Sequence, residues 1–240
     1  MHLRARPAAR STCSVFTQRR RVQVWRGLLD IFRNFGMVLI TWLLALAFGI
    51  FVGLVFLNLE LTIEGVQNRA GVIFFSLVFL GFLSVTSIDS LMTERAVVVK
   101  EQRLGYYPGW LYMAAKCLID SILMRAVPAV LYATPVYWMA GLQESGERYA
   151  LFAFVLIAFT IGTQFQAMHI VEWSRRAGTA TILFVLLLIV QMLFAGFLVN
   201  TKSIPGALAW IRYLSLIYFS FEACAVNEFD VRWPCCAEVT

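Results

Sequence analysis

Long stretches without a charged residue alternate along the chain with short segments that carry most of the charge. A bilayer-spanning helix needs about 20 consecutive apolar residues, and these stretches have that length. They predict five transmembrane helices, at residues 35–59, 70–88, 122–142, 149–171 and 177–201. The predicted fold is therefore all-α, a polytopic membrane helix bundle with its membrane domain at residues 35–201.

A sixth apolar stretch, Ser203 to Phe221, is broken by Pro205 and Gly206 near its start and contains Arg212. It fits either a short span or a re-entrant or interfacial segment. The early break favours the second interpretation. Residues 202–240 are therefore expected to form an extracellular re-entrant segment followed by a truncated outer loop.

The composition supports a membrane protein. Hydrophobic residues make up 60% of the chain and charged residues 14%, and the mean hydropathy is +0.76. A soluble domain cannot bury so large an apolar fraction around one core. The composition thus excludes an ordinary soluble enzyme or binding module.

The basic residues predict the orientation of the spans. Most of the 20 lysines and arginines lie in residues 1–34, 89–120 and 172–176, which fall on one side. The other side has Arg69, Arg148, Lys202, Arg212 and Arg232. Because basic loops stay in the cytosol, the N-terminus is expected to be cytosolic. The net charge of +6 therefore reflects topology, and nucleic acid is not an expected partner because no surface interleaves aromatic and basic residues.

Two segments outside the spans have predicted structure. In residues 1–34, Trp25, Leu28, Leu29 and Phe32 recur at helical spacing among arginines, which predicts an amphipathic elbow helix on the membrane surface. The competing interpretation of this arginine-rich segment is a mitochondrial transit peptide. Residues 89–120 are predicted to be cytosolic, with a short helix around Thr93 to Gln102.

The cysteines and histidines do not define a disulfide pairing or a metal site. Cys13 and Cys117 fall on the predicted cytosolic side, whereas Cys224, Cys235 and Cys236 fall outside, where a disulfide can form, although the pattern specifies no pairing. His169 with Glu172 suggests a proton relay or a metal site. Two liganding side chains do not make a metal site, so none is predicted.

Three stretches of the chain form a specific pattern: residues 65–75, which open the second span; residues 94–142, with Glu94-Arg95 and Lys100-Glu101; and residues 196–229, from Gly196-Phe197-Leu198 to Asn227-Glu228-Phe229. In this order they resemble the G-subfamily ATP-binding-cassette half-transporters, which export sterols, pigment precursors and drugs. The likeness covers about residues 14 to 230. It implies an ABC-2 type exporter membrane domain that dimerises, as a homo- or heterodimer, with a second half-transporter.

Two parts of the family pattern are absent from the sequence. No Gly-x-x-x-x-Gly-Lys-Ser/Thr phosphate loop occurs, so ATP and Mg²⁺ are expected on a separate nucleotide-binding domain and the chain is not expected to be an enzyme. The family's sixth span is also absent. The chain is therefore expected to be a fragment or a short form.

The resemblance implies roles for several residues. Phe82 corresponds to an aromatic residue that clamps flat substrates at the dimer axis, in a cavity also lined by Val78, Val185, Leu188, Ile189 and Met192. Phe197 and Leu198 correspond to an apolar plug between an inner and an outer cavity. Glu94, Arg95, Lys100 and Glu101 correspond to a coupling segment that rests on the nucleotide-binding domain.

Arg125 is notable on physical grounds, because a cation at mid-bilayer costs about 2.5–3.5 kcal/mol on insertion scales. Its position near the cytosolic end of the third span favours snorkelling to the lipid headgroups. The alternatives are pairing with Asp120 or Asp89, or tuning of substrate choice.

The leading hypothesis is the membrane part of an ATP-driven exporter of lipid, sterol or amphipathic xenobiotic molecules, at the plasma membrane. The alternative is a truncated, non-transporting membrane protein that pairs with full-length half-transporters and regulates them. An ion channel or receptor lacks support, because no selectivity-filter-like segment or ring of charged residues occurs in the spans.

Overall fold

The structure of the protein is a computed structural model, which describes residues 35–59, 63–104, 121–143, 145–174, 176–198 and 206–229. The predicted elbow helix, residues 105–120 of the coupling segment, Cys235 and Cys236 lie outside the described residues.

The described residues are helical and contain no strand. The α-helices are α1 (Phe35–Val55), α2 (Ile63–Leu83), α3 (Thr86–Arg103), α4 (Val127–Met139), α5 (Gly146–Trp173), α6 (Ala177–Leu193) and α7 (Leu216–Phe229). A π-helical segment, Ser121–Ala126, leads into α4, and a 3₁₀ helix, Gly206–Leu214, leads into α7. This confirms the predicted all-α helix bundle.

Four helical stretches of the described residues are long and apolar enough to cross a membrane: Phe35–Val55, Gly65–Glu101, Ser121–Met139 and Gly146–Trp173. The helix α6, Ala177–Leu193, is apolar but shorter. The chain is thus an integral, multi-pass membrane protein.

The second of these stretches is a rod made of two helices. Its first part, α2, begins at Ile63, well before the predicted start of the span at Ala70, and so includes Arg69. The rod is interrupted at Ser84 and Val85 and continues as α3, which begins earlier than the predicted coupling helix. One nearly continuous rod therefore joins an apolar span to a charged helix.

Two glycines bring α1 against α4. A Cβ atom at Gly49 would lie 2.9 Å from the carbonyl oxygen of Tyr132, and one at Gly53 would lie 2.9 Å from Cβ of Met139. Small residues four positions apart let membrane helices approach closely. The ends of the two helices are then joined by a backbone hydrogen bond of 3.1 Å from the Asn58 N–H to the Met139 carbonyl.

The buried apolar residues form two main clusters. The larger one lies among α1, α2, α4, α5 and α7, with Leu77, Tyr132 and Phe152 at its centre. The smaller one lies among α3, α5 and α6, and includes Ile88, Met168 and Phe184. The helix α5 contributes to both clusters and therefore packs at the centre of the bundle.

The segment 206–229 re-enters the bundle. At one end of α7 the Asn227 side chain donates to the Arg148 carbonyl (3.1 Å), and at the other end Leu216 packs onto Gly162, near the middle of α5. The 28-residue α5 is about 42 Å long, so α7 runs from one end of the bundle to roughly half its depth. The predicted re-entrant segment stays a prediction, and the described part of it packs along one half of α5. We call the end of the bundle near Arg69 and Arg148 the Arg69 end, and the opposite end the Arg95 end.

Candidate functional site

The predicted cavity residues lie around the contact between α2 and α6. Phe82 and Ile189 immediately follow Gly81 and Leu188, which face each other across this contact, and both are exposed. Phe75, two helical turns before Phe82, is also exposed. These side chains give the protomer an open apolar surface with aromatic rings.

The remaining predicted cavity residues divide into two groups. Val78, Val185 and Met192 are half-buried, at the margin of the open surface. Leu188 is different, because it is buried and fills the space left by the missing side chain of Gly81, 3.4 Å from the position of a Cβ atom there. The expectation that Leu188 lines an open cavity is therefore wrong for the protomer: this residue holds α6 against α2.

The two residues of the predicted plug, Phe197 and Leu198, have different environments. The ring of Phe197 stacks on Phe74 with 4.8 Å between the centroids and lies 5.9 Å from the ring of Phe221 on α7. Its neighbour Leu198 is exposed. Phe197 thus fixes the end of α6 to α2 and α7, while Leu198 is free to face a partner or a passing molecule.

Arg95 is the predicted coupling residue with the most extensive contacts. Its guanidinium donates to the carbonyl oxygens of Val171 (2.8 Å), Glu172 (2.9 Å) and Ser174. The last carbonyls of a helix have no partner within the helix, and a cation there also interacts favourably with the helix dipole. Arg95 therefore ties the charged helix α3 to the end of α5.

The other predicted coupling residues are arranged differently. Glu94 accepts a 3.4 Å hydrogen bond from Ser90, one turn earlier in α3. Lys100 is exposed and Glu101 is half-buried. The structure thus places the four residues on one helix but brings only Arg95, among the residues described, onto α5.

Replacing Arg95 with methionine is expected to lower the free energy of unfolding by about 1.5–3 kcal/mol, the usual range for hydrogen bonds made by a charged group. Methionine keeps most of the apolar stem and removes the donors. Thermal unfolding of the chain in lipid nanodiscs measures the change. The matched control is Lys100→Met on the exposed side of the same helix, which should stay within about 0.5 kcal/mol of the wild type. Equal losses in the two variants would contradict the capping role.

Arg125 is buried and does not snorkel to the headgroups. Its Nε and Nη2 atoms donate to Oε1 of Gln164 (3.0 and 2.5 Å), and its Nη1 atom donates to Oγ of Ser84 (3.1 Å). Ser84 also lies 2.9 Å from Thr163. The favoured expectation was wrong because α5 supplies an amide oxygen at the depth of the guanidinium, where donors inside a bilayer need protein partners.

Two further amides form a polar contact inside the bundle that the sequence analysis missed. Nε2 of Gln191 donates to Oε1 of Gln166 (3.0 Å), and Oε1 of Gln191 accepts from the backbone N–H of Leu216 (3.2 Å). Glutamines within otherwise apolar spans are the sequence signal for such contacts, since each must find a partner. Gln191 thereby holds the inner end of the re-entrant segment.

A buried ion pair closes the Arg69 end. The guanidinium of Arg69 pairs with the carboxylate of Glu228 and also donates to the carbonyl oxygens of Leu59 (2.8 Å) and Gly141 (2.9 Å). The backbone N–H of Gln143 donates to Glu228 (3.2 Å). The pair therefore joins α1, α2, α4 and α7. The sequence placed Arg69 in a loop before the second span, whereas the structure buries it within α2.

The histidine and cysteine side chains described do not form a metal site. Nδ1 of His169 is 3.8 Å from Oε2 of Glu172, and both side chains are largely exposed. Within the described residues no three His, Cys, Asp or Glu side chains are grouped so that they could hold a metal ion. Cys224 is a buried free thiol.

Comparisons with known proteins give the family. Residues 20–229 match the model of the family described as ABC-2 type transporter membrane domains. The chain is 30% identical over 204 residues to a probable ATP-dependent permease of Saccharomyces cerevisiae, covering 85% of this chain and 19% of the permease. It is 32% identical to ABC transporter G family member 24 of Dictyostelium discoideum, covering 87% of this chain and 18% of that relative.

A third relative is the broad substrate specificity ATP-binding cassette transporter ABCG2 of Mus musculus, with 31% identity over 181 residues. The match covers 75% of this chain and 28% of the mouse protein, so the chain spans less than a third of the length of these curated relatives. The match to the family model, over residues 20–229, includes every helix from α1 to α7. The chain belongs to the ABC-2 type transporter family of membrane domains and has ABCG transporters among its relatives.

Proposed function

We propose that this chain is the substrate-translocating membrane part of an ATP-driven exporter of lipid, sterol or amphipathic xenobiotic molecules. It works as a dimer with a second half-transporter, and ATP and Mg²⁺ act on a nucleotide-binding domain. The basic residues favour a cytosolic N-terminus, which makes the Arg95 end cytosolic, and the likeness to exporters favours the plasma membrane.

The observation that carries the proposal is the rod formed by α2 and α3. Its α2 part presents Phe75 and Phe82 on the open apolar surface, and its α3 part is charged and tied to α5 by Arg95. A displacement of α3 by a soluble domain therefore moves the aromatic surface and the central helix together. Alternating access needs such a mechanical connection between the energy source and the binding surface.

Substrate recognition is proposed to rest on the aromatic rings of this surface. In a dimer the open surfaces of two protomers enclose a shared apolar space, which flat amphipathic molecules fill by stacking on Phe82. Leu198 is proposed to contribute to the barrier that separates this space from the Arg69 end.

The function is tested by ATP-dependent uptake into sealed vesicles that contain the chain and a nucleotide-binding domain of an ABCG relative supplied in trans. Uptake of a flat fluorescent amphipath with ATP, and its absence with ADP or without the chain, is the expected result. If no such domain supports uptake, the exporter proposal is contradicted and the regulatory alternative is favoured.

Replacing Phe82 with alanine is expected to reduce uptake of the flat amphipath by roughly 2- to 10-fold, because an aromatic contact contributes about 0.5–1.5 kcal/mol beyond its buried area. The matched control is Phe154→Ala on α5, which also removes an exposed ring but lies away from the contact between α2 and α6. Equal uptake by the Phe82 variant and the wild type would remove the clamp from the proposal.

A further inference from the structure

Arg212 is a cation placed deep in the membrane region of the bundle. It lies in the 3₁₀ helix directly before α7, and its guanidinium is 6.0 Å from the ring centre of Tyr218 in the first turn of α7. The neighbouring Leu216 packs on Gly162, near the middle of α5. Since α5 is longer than the roughly 30 Å hydrocarbon layer, this contact places the start of α7, next to Arg212, far from both ends of α5.

The hydrogen-bonding capacity of Arg212 is largely unused. Its Nη2 atom donates to the Tyr213 hydroxyl (2.6 Å), and its charge lies 4.7 Å from the centre of the same ring. The Nε atom, although shielded, has no hydrogen-bond partner among the described residues. None of the carboxylates described lies within ion-pair distance of Arg212, and Glu222 acts on it from further away.

This arrangement differs from that of the other two intramembrane arginines described above. Arg69 has a carboxylate and two carbonyl oxygens, and Arg125 has an amide and a hydroxyl oxygen from neighbouring helices. Ionisable side chains within a bilayer pair with an opposite charge or with backbone carbonyls, face a water-filled cavity, or mark a substrate pathway. The hydrogen-bond partner of Arg212 is the phenol of Tyr213 on its own helix. The positive charge of Arg212 therefore faces outward from the bundle.

The surface around Arg212 is apolar and aromatic. Trp210, Tyr213 and Leu214 are all more than half exposed on the same short helix. The helix α7 that follows packs against α2 and α6, the two helices that carry the predicted cavity residues. A molecule that contacts this surface therefore meets an aromatic and aliphatic wall with one positive charge in it.

We propose that Arg212, with Tyr213 and Trp210 beside it, binds the acidic head group, a carboxylate or a phosphate, of an amphipathic molecule during its passage through the bilayer. The charge balances the head group at the depth where water is scarce, and the exposed side chains hold the apolar body. This proposal rests on the proposed export function and narrows its substrate class to acidic amphipaths. Charge-assisted hydrogen bonds to a planar anion suit a guanidinium.

The test uses the purified full chain in nanodiscs of phosphatidylcholine, without nucleotide. The probes are the fluorescent fatty acid cis-parinaric acid and its methyl ester, which share one apolar body and differ in charge. Arg212→Gln is expected to weaken binding of the acid by about 10-fold or more and to leave binding of the ester unchanged. Arg212→Lys is expected to keep most of the acid binding, because it keeps the charge.

The matched control is Arg176→Gln, which removes an exposed cation at the start of α6. It should bind both probes as the wild type does. Equal affinity of Arg212→Gln and the wild type for the acid would overturn the proposal, and so would equal losses for acid and ester, which indicate a structural role. A melting curve for each variant confirms that the compared chains are folded.

A second arm identifies the source of the head group. Phosphatidylglycerol in the nanodiscs that displaces the acid from the wild type, but leaves the residual binding of Arg212→Gln unchanged, assigns the site to an anionic membrane lipid. No displacement assigns it to a smaller acid, and both results keep the head-group chemistry. Because binding is measured without ATP, failure here is distinct from failure of export, which vesicle uptake of an uncharged amphipath reports.

Discussion

Replacing Glu228 with leucine is expected to destabilise the chain by about 3–5 kcal/mol, because it leaves the guanidinium of Arg69 buried without its counter-ion. Both side chains are nearly inaccessible, with about 2% of each residue's surface exposed. The carbonyl oxygens of Leu59 and Gly141 remain as acceptors, but they cannot neutralise the charge. The backbone N–H of Gln143 also loses its acceptor.

The change is measured as the free energy of unfolding by sodium dodecyl sulfate in mixed micelles. Glu222→Leu, an exposed carboxylate on the same helix, is the matched control and should stay near the wild type. The double variant Arg69→Met/Glu228→Leu is expected to recover part of the loss, because it removes both charges together. A Glu228→Leu chain within about 0.5 kcal/mol of the wild type would show that the pair contributes no net stability.

The ion pair also shows why the start of the second span could not be predicted from the sequence. A charge-free run locates a span but not its ends, and the rule that charges mark loops placed Arg69 outside the membrane helices. Arg69 is buried within α2, where Glu228, far along the chain on α7, neutralises its charge. No local pattern around Arg69 contains this information.

The prediction of a re-entrant segment has a local basis in the sequence. Pro205 and Gly206 interrupt the apolar stretch, and that break led to a re-entrant or interfacial segment in place of a complete span. Its depth was not predictable, because it is set by Ser215 and Leu216 meeting the Gln191 side chain and backbone and by Gly162 on α5. These are contacts between elements, and a pattern along one element does not encode them.

The candidate site was partly predictable for a similar reason. Phe82 and Ile189, chosen by resemblance, are exposed and stay predictions, whereas Leu188, one residue from Ile189 on the same helix, is buried in the core. A shift of one residue turns a helix face by about 100°. Arg125 stood out from the sequence as an intramembrane cation, but its partner Gln164 lies on another helix.

Arg95, a predicted coupling residue, makes a contact that the sequence does not reveal. Its acceptors are backbone carbonyls at the end of α5, which every sequence has. The helix around Arg95 was predicted, and the family resemblance implied that it rests on a nucleotide-binding domain. The connection to α5 required the structure, and it gives the proposed coupling a route from α3 into the centre of the bundle.

The packing of α1 on α4, by contrast, has a local signal in the sequence. Gly49 and Gly53 have the Gly-x-x-x-Gly spacing that marks close helix contacts in membranes. The structure places both glycines against α4 within the same chain. This motif therefore supplies a sharp test of the bundle.

Replacing Gly49 with valine is expected to cost about 3 kcal/mol of unfolding free energy, at the upper end of the usual range for overpacking. A Cβ atom at this position would lie 2.9 Å from the Tyr132 carbonyl oxygen and 2.9 Å from Cγ of Pro135, and neither atom can move without displacing α4. The variant should therefore either separate the two helices or tilt α1.

The matched control is Gly36→Val on the same helix, where a Cβ atom would meet nothing within 4 Å. Both variants add the same side chain to the same helix and change the unfolded chain in the same way, so most of the difference between them reports the contact with α4. Sodium dodecyl sulfate unfolding should give a loss of about 3 kcal/mol for Gly49→Val and a change within about 0.5 kcal/mol for Gly36→Val. Equal midpoints would mean that α1 is not held against α4 at this point, and the close packing of these helices would have to be abandoned.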